Sequence, residues 1–294
     1  GGKHKSININ GGVLSGLYMT VVALFLAIGD VLVKNAPNIH PVTVAAGRIF
    51  FSLPVLWAIV LVKGVPAVDW RIAYVFIFSP PIEVVALVLY MRALQISPMY
   101  RTLPFLAFTP LLLILTSWIM VGENVTMWGT LGIVCVVIGT YSLYFKPGQY
   151  VLEPVKAVIS DKGSLFMLAV AFLYSITANF GKMGVLYSSP SFFGAVYFTI
   201  LAIILVVWSM LVDNVTRIFT KEIMLIGITQ GIMITFHMLA LEIAPVSYMI
   251  SVKRSSMLFG IIFGAIFFGE KNLLQHSIAA MVILAGIGLI SILG

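Results

Sequence analysis

The chain has 294 residues, 61% of them hydrophobic and 9% charged, with a formal net charge of +7. A soluble domain carries about 25% charged residues, so this composition excludes a water-soluble fold and places the chain in a membrane. The positive balance shows no basic stripe with interleaved aromatics, which argues against a nucleic-acid partner. The single Cys135 excludes a disulfide framework and a cysteine metal cluster, and neither metal nor cofactor is expected.

Counting spans at roughly 20 apolar residues each predicts ten transmembrane helices, an all-α membrane protein. They fall at 13–33, 42–62, 72–91, 99–121, 125–145, 163–186, 191–212, 223–241, 246–268 and 273–293. The first follows Lys3 and Lys5 but is too long for a leader's apolar core, so it reads as a retained helix. Asp30 and Lys34, at its end, read as an interfacial pair. The second span carries Arg48. The third carries Glu83 behind Ser79-Pro80-Pro81, which is expected to disrupt the helix at mid-membrane. Pro104 and Pro110 should bend the fourth. The polar stretch 146–162, KPGQYVLEPVKAVISDK, is the expected linker. Beyond it the sixth span carries Asn179, the eighth Gln230 and His237, and the ninth Tyr248 and the dipeptide Lys253-Arg254. Gly227/Gly231 and Gly260/Gly264 have the spacing for tight packing of the eighth helix on the ninth.

The chain is also duplicated. Residues 93–123 and 240–270 align without a gap at an offset of 147, matching Ala93 with Ala240, Pro98 with Pro245, and Gly122-Glu123 with Gly269-Glu270. Five spans per half is odd, so the halves start on opposite sides of the membrane and form an inverted repeat. The expected units are 1–147 and 148–294. Duplicated membrane proteins of this kind are typically transporters, because two equivalent halves can rock about a shared central site.

An ionisable side chain at membrane depth is by default a functional-site hypothesis. At about 1.5 Å per residue, Glu83 lies roughly 18 Å past Arg71, Lys253 roughly 12 Å past Pro245, and Arg48 roughly 10 Å in from the opposite side. Arg254 is one step deeper than Lys253. All four therefore fall in one central slab, with Asn179 and His237 at its edge. Three cations against one carboxylate leave an excess that a substrate phosphate or carboxylate would match. The structural alternative is a set of internal salt bridges between Glu83 and Arg48 or Lys253/Arg254. Gln230 aligns with Glu83 in the other half and is read as a neutral hydrogen-bonding partner. Glu83 is expected either to couple transport to protonation or to gate. His237 reads first as a core histidine. Asn179, His237, Tyr100 and Tyr248 form a second tier of cavity candidates.

The pattern of a proline, 24 positions to Gly-Glu, then an apolar helix with a late glycine occurs twice: Pro98 to Gly122-Glu123 with Gly139, and Pro245 to Gly269-Glu270 with Gly286. In this each half resembles an EamA module of the drug/metabolite transporter superfamily. The resemblance implies a ten-helix carrier with a cavity lined by helices 1–4 and 6–9, helices 5 and 10 being peripheral. The run VSYMISVKRSSMLFG resembles the ninth helix of the phosphate-exchanging branch, where a Lys-Arg dipeptide contacts a phosphate group. At the matching positions the first half has Leu106 and Ala107.

These features predict a secondary transporter of a small polar, anionic or zwitterionic metabolite, with Arg48, Lys253 and Arg254 as anion contacts. The alternatives are a flippase for a phosphate-linked lipid headgroup, or an exporter of amino acids or other metabolites in which the buried charges are structural. No zinc-protease motif, nucleophile elbow or phosphate loop is present, so an enzyme is not expected. Expected partners are the solute, membrane lipids and a coupling proton or counter-substrate; monomer and homodimer both stay open. Loop charges, with Lys182 counted among those on the terminus side, favour the side opposite the termini as cytoplasmic, whereas the resemblance implies cytoplasmic termini in a plasma membrane; the expectation follows the resemblance.

Overall fold

The computed structural model describes residues 9–34, 39–96, 103–142, 161–256, 259 and 273–293. Among these every regular element is helical, and they follow the ten spans in order. Helix α1 is Ile9–Lys34 and α2 runs as two pieces, α2a (Pro41–Phe50) and α2b (Leu53–Lys63). Helix α3 is Ile72–Ile96, α4 is a 3-10 turn at Leu103–Phe108 continuing as Thr109–Val121, and α5 is Met127–Ser142. The second half supplies α6 (Lys162–Leu186), α7 (Pro190–Val212), α8 (Lys221–Ile243), α9 (described over Val246–Arg254) and α10 (Leu273–Leu293). Four helical stretches, Val42–Lys63, Lys162–Leu186, Pro190–Val212 and Lys221–Ile243, are long and apolar enough to cross a membrane. Shorter apolar helices lie at Leu14–Gly29, Ile72–Leu87, Phe105–Val121, Met127–Ser142 and Ile278–Leu293.

The helices pair between halves rather than within them. α5 packs on α10, α2 on α7, α3 on α6 and α1 on α8. Exchanging the halves maps α3–α6 onto α8–α1 and leaves α5–α10 and α2–α7 in place, which is the signature of an inverted repeat about one pseudo-two-fold axis. The α5–α10 seam obeys this at residue level. A Cβ on Gly132 would meet the Gly286 carbonyl at 2.7 Å, while one on Gly139 would meet the Ala279 carbonyl at 3.0 Å. Gly139 and Ala279 are the repeat mates of Gly286 and Gly132.

Two expectations are corrected. α3 runs unbroken through Pro80-Pro81. A proline's fixed φ near −65° is itself helical, so the ring costs the helix a backbone donor without forcing it to end. Interruptions lie instead in α2 at Phe51–Ser52 and in α9 at Ser255, while the one in α4, at Phe108/Thr109 beside Pro110, is where a bend was expected. The second correction concerns Gly227 and Gly231. They face Phe51, Ser52 and Val55, with a Cβ on Gly227 meeting Phe51 Cβ at 2.3 Å. These glycines let α8 close on the kink of α2, not on α9. Gly260, Gly264, Glu270 and the Asp30/Lys34 side chains lie outside the described residues.

Each interruption has a local chemical cause. Pro54 and Pro110 lack the N–H that would bond the carbonyls of Phe50 and Leu106. At α4, the Thr109 hydroxyl donates to that Leu106 carbonyl at 2.8 Å in place of the missing amide. Ser52 Oγ donates to the Ile49 carbonyl at 2.7 Å, and Ser255 Oγ to the Val252 carbonyl at 2.6 Å.

Candidate functional site

Two of the three interruptions carry the cations. Arg48 is in the last turn of α2a, and Lys253 and Arg254 are in the last turn of the described part of α9. These two pieces enter from opposite sides and both end inside the bundle. Their C-terminal carbonyls carry negative partial charge, which favours cations at that point by about 0.3–1 kcal/mol each. Sequence and backbone thus act together: a kink supplies the carbonyl end, and a cation is placed on it.

Arg48 Nε donates to Gln230 Oε1 at 2.8 Å, joining α2 to α8. Its guanidinium also reaches α1, where a Cβ on Gly29 would sit 3.5 Å from Nη2. Arg254 Nη2 donates to Thr109 Oγ1 at 3.2 Å, joining the interruptions of α9 and α4. Glu83 of α3 lies beside Thr177 of α6 and in the field of Lys253. Tyr174, one turn before Thr177, feels Glu83, Tyr90, Arg254 and Arg48 together. His237 lies in the field of Lys253, and its Nδ1 is buried without a hydrogen bond among the described residues. The structure therefore brings Arg48, Glu83, Gln230, Lys253 and Arg254 together with His237. The four charged side chains stay half-buried inside the bundle, whereas Gln230 is buried.

The other second-tier residues fall differently. Asn179 is fully buried, and its amide donates to Thr116 Oγ1 at 3.0 Å and to the Ser175 carbonyl at 2.7 Å. It ties α6 to α4 and does not line a cavity. Tyr248 is likewise buried, and its hydroxyl accepts the Thr126 amide at 3.1 Å beside the α4–α5 corner. Tyr100 lies outside the described residues. Lys182, counted among the loop charges, is in fact buried in α6 beside Glu123.

Sequence reading passed over Tyr174, Thr177 and Tyr197. Tyr197 shares a 2.9 Å hydrogen bond with Ser79, one turn before Glu83, and lies in the Glu83 field. A signal existed. α2 and α7 both start on a proline, and aligning Pro41 with Pro190 sets Arg48 opposite Tyr197. The repeat thus pairs Arg48 with Gln230 and, by symmetry, Tyr197 with Glu83.

The fold and site define a ten-helix, multi-pass membrane protein built on an inverted repeat. A model of the EamA-like transporter family matches residues 14–145 and again 161–292. The chain belongs to that family, in the drug/metabolite transporter superfamily, and is a membrane transporter of small solutes; family members are transporters rather than enzymes. A solved crystal structure superposes with a TM-score of 0.77 over 97% of this chain and 99% of its own, at 16% identity, which shows a shared fold. Among curated proteins none matches the sequence significantly.

Proposed function

We propose that this carrier moves a small polar metabolite bearing a phosphate or carboxylate group, by alternating access about the central cluster. The observation that carries the reading is the convergence of Arg48, Lys253 and Arg254 on mid-bundle helix ends while all three stay half-buried. An anion seated there would receive charge-assisted hydrogen bonds from the two guanidiniums and a compact positive charge from the lysine. Glu83, with Thr177 and the nearby Tyr197, forms the opposite pole. It takes an ammonium or hydroxyl of the solute, or a coupling proton. Units 1–147 and 148–294 are the two copies of the repeat, and the moving bodies are sets of helices drawn from both, since the helices pair between halves. A plasma membrane with cytoplasmic termini is part of the same proposal, supported by the resemblance of the sequence and tested by protease access to a terminal tag in sealed cells.

The test is a thermal-shift screen of purified protein against phosphorylated, carboxylated, zwitterionic and cationic metabolites, repeated on Lys253→Ala/Arg254→Ala. Stabilisation by anionic compounds that disappears in the variant supports the site. Stabilisation only by cationic compounds, unchanged in the variant, overturns it. For coupling, Glu83→Gln is expected to flatten the pH profile of uptake of the best hit; an unaltered profile leaves Glu83 as the solute's second pole only.

A further inference from the structure

From Val246 to Val252 α9 is buried without interruption, no residue exceeding 6% exposure, and it becomes accessible only at Lys253 and Arg254. Along α9 this stretch separates the central cluster from the membrane face that carries the termini. Its outer end is held by a polar cluster assembled from both halves. Gly122 ends α4 in the left-handed region, with φ +74°, and so turns Glu123 beneath the start of α9. Glu123 Oε2 accepts the Val246 amide at 2.9 Å, and Oε1 lies 3.4 Å from Lys182 Nζ. The same ammonium donates to the Leu241 carbonyl and, at 2.9 Å, to the Ala244 carbonyl at the end of α8.

A lysine that is 7% exposed costs several kcal/mol of desolvation unless fully partnered. Here one carboxylate and two helix-end carbonyls supply that partnership, and the α8 C-terminal dipole adds to it. The cluster thus stores strong interactions at a contact between α4, α6 and the α8–α9 corner. For the central cluster to face the terminus side, that corner must leave α4 and α6, and the bonds of Glu123 and Lys182 are the ones that break.

We propose that Glu123 and Lys182 form the latch of the terminus-side gate, closed in this structure and released when the site opens to that face. The inference rests on the alternating-access reading but needs no substrate to test. In a Cys135→Ser background, Ser251→Cys places a small reporter in the buried stretch. A membrane-impermeant maleimide is applied to the terminus face of sealed vesicles. Lys182→Met and Glu123→Gln are each expected to raise the alkylation rate ten-fold or more; Gln keeps an acceptor for the Val246 amide and loses only the charge. Unchanged rates in folded, monodisperse variants overturn the latch. If neither variant folds, hydrogen exchange on the unsubstituted protein decides. A latch predicts that residues 241–252 exchange together and faster than the α5–α10 seam around Gly132 and Gly286. Exchange as slow as the seam overturns it. Accelerated labelling beside an empty thermal-shift screen supports the latch while removing the anion reading.

Discussion

The α5–α10 seam and the central layer are both repeat-related contacts, yet they treat the repeat in opposite ways. At the seam symmetry is kept: Gly132 faces Gly286 while their mates, Ala279 and Gly139, face each other. In the centre it is broken at every charged position. Arg48 is matched by Tyr197, Glu83 by Gln230, Lys253 by Leu106 and Arg254 by Ala107. Duplication gives a scaffold two states of similar energy, which a rocking carrier needs. A solute with distinct ends needs a site that is not its own mirror. The charges sit where the halves have diverged, and the small residues sit where they have not.

The largest expected effect is at the seam. A Cβ at Gly286 meets the Gly132 carbonyl at 2.7 Å and the Val136 amide at 2.9 Å, backbone atoms that cannot move aside, whereas one at Gly288 meets nothing within 4 Å. Gly286→Val is therefore expected to cost about 3 kcal/mol and to lower Tm sharply. Gly288→Val should change Tm little. Equal behaviour of the two in a thermal melt would refute the seam as a close-packed contact that tolerates no added side chain.

Next comes symmetrisation of the centre. Arg48→Tyr installs the residue found at the mate position, removes the 2.8 Å bond to Gln230 and takes away a cation. Affinity for the best anionic compound should fall at least ten-fold, about 1.4 kcal/mol, as read from the ligand dependence of Tm. Retained affinity would mean that asymmetry at this position serves packing alone. A change with two signs is expected at Pro54, whose mate by the same alignment is Ile203 in unbroken α7. Pro54→Ile returns an amide to the Phe50 carbonyl and should raise stability, by at most about 3 kcal/mol, while weakening anion binding several-fold because Arg48 loses its helix end. A drop in both quantities would show that the kink is required by the packing of Gly227 and Gly231.

Much of this was legible in the sequence because hydropathy and an ungapped repeat are local signals. The ten spans and the central slab needed only counting along the chain. The bend in α4 was legible from Pro110, whereas a break was expected in α3 and none in α2 or α9. Pro80-Pro81 stays inside α3, whereas the helices are interrupted just before Pro54 and Pro110, where the Ser52 and Thr109 hydroxyls bond the Ile49 and Leu106 carbonyls. Lys182 was read as a loop charge because only tertiary contact brings Glu123 and the α8 carbonyls to it. Asn179 and Tyr248 looked like cavity residues by depth and type, but which face of a helix is covered depends on the partner helix, and no single-helix pattern records that.

The smallest effect lies at the far end of the α2–α7 pair, where Asp213 closes α7 onto the start of α2. Its carboxylate accepts the Thr43 hydroxyl at 3.0 Å and the His40 amide at 3.3 Å, and Arg217 stands 3.7 Å away. The Asn214 amide, followed by these donors, holds its pKa below the ordinary carboxylate value. A depressed folded-state pKa contributes stability that is complete above the unfolded value, about 3.9. That contribution is lost as pH falls through the lower folded value. Tm of the unsubstituted protein should therefore fall more steeply below about pH 4 than that of Asp213→Asn, with the two slopes parallel at neutral pH. The Ser209 hydroxyl, which donates to Thr43 Oγ1 at 3.0 Å, extends the same network into α7. Ser209→Ala should lower Tm without changing that acid-side slope. If it changed the slope as much as Asp213→Asn does, the pH dependence would belong to the helix packing rather than to the carboxylate.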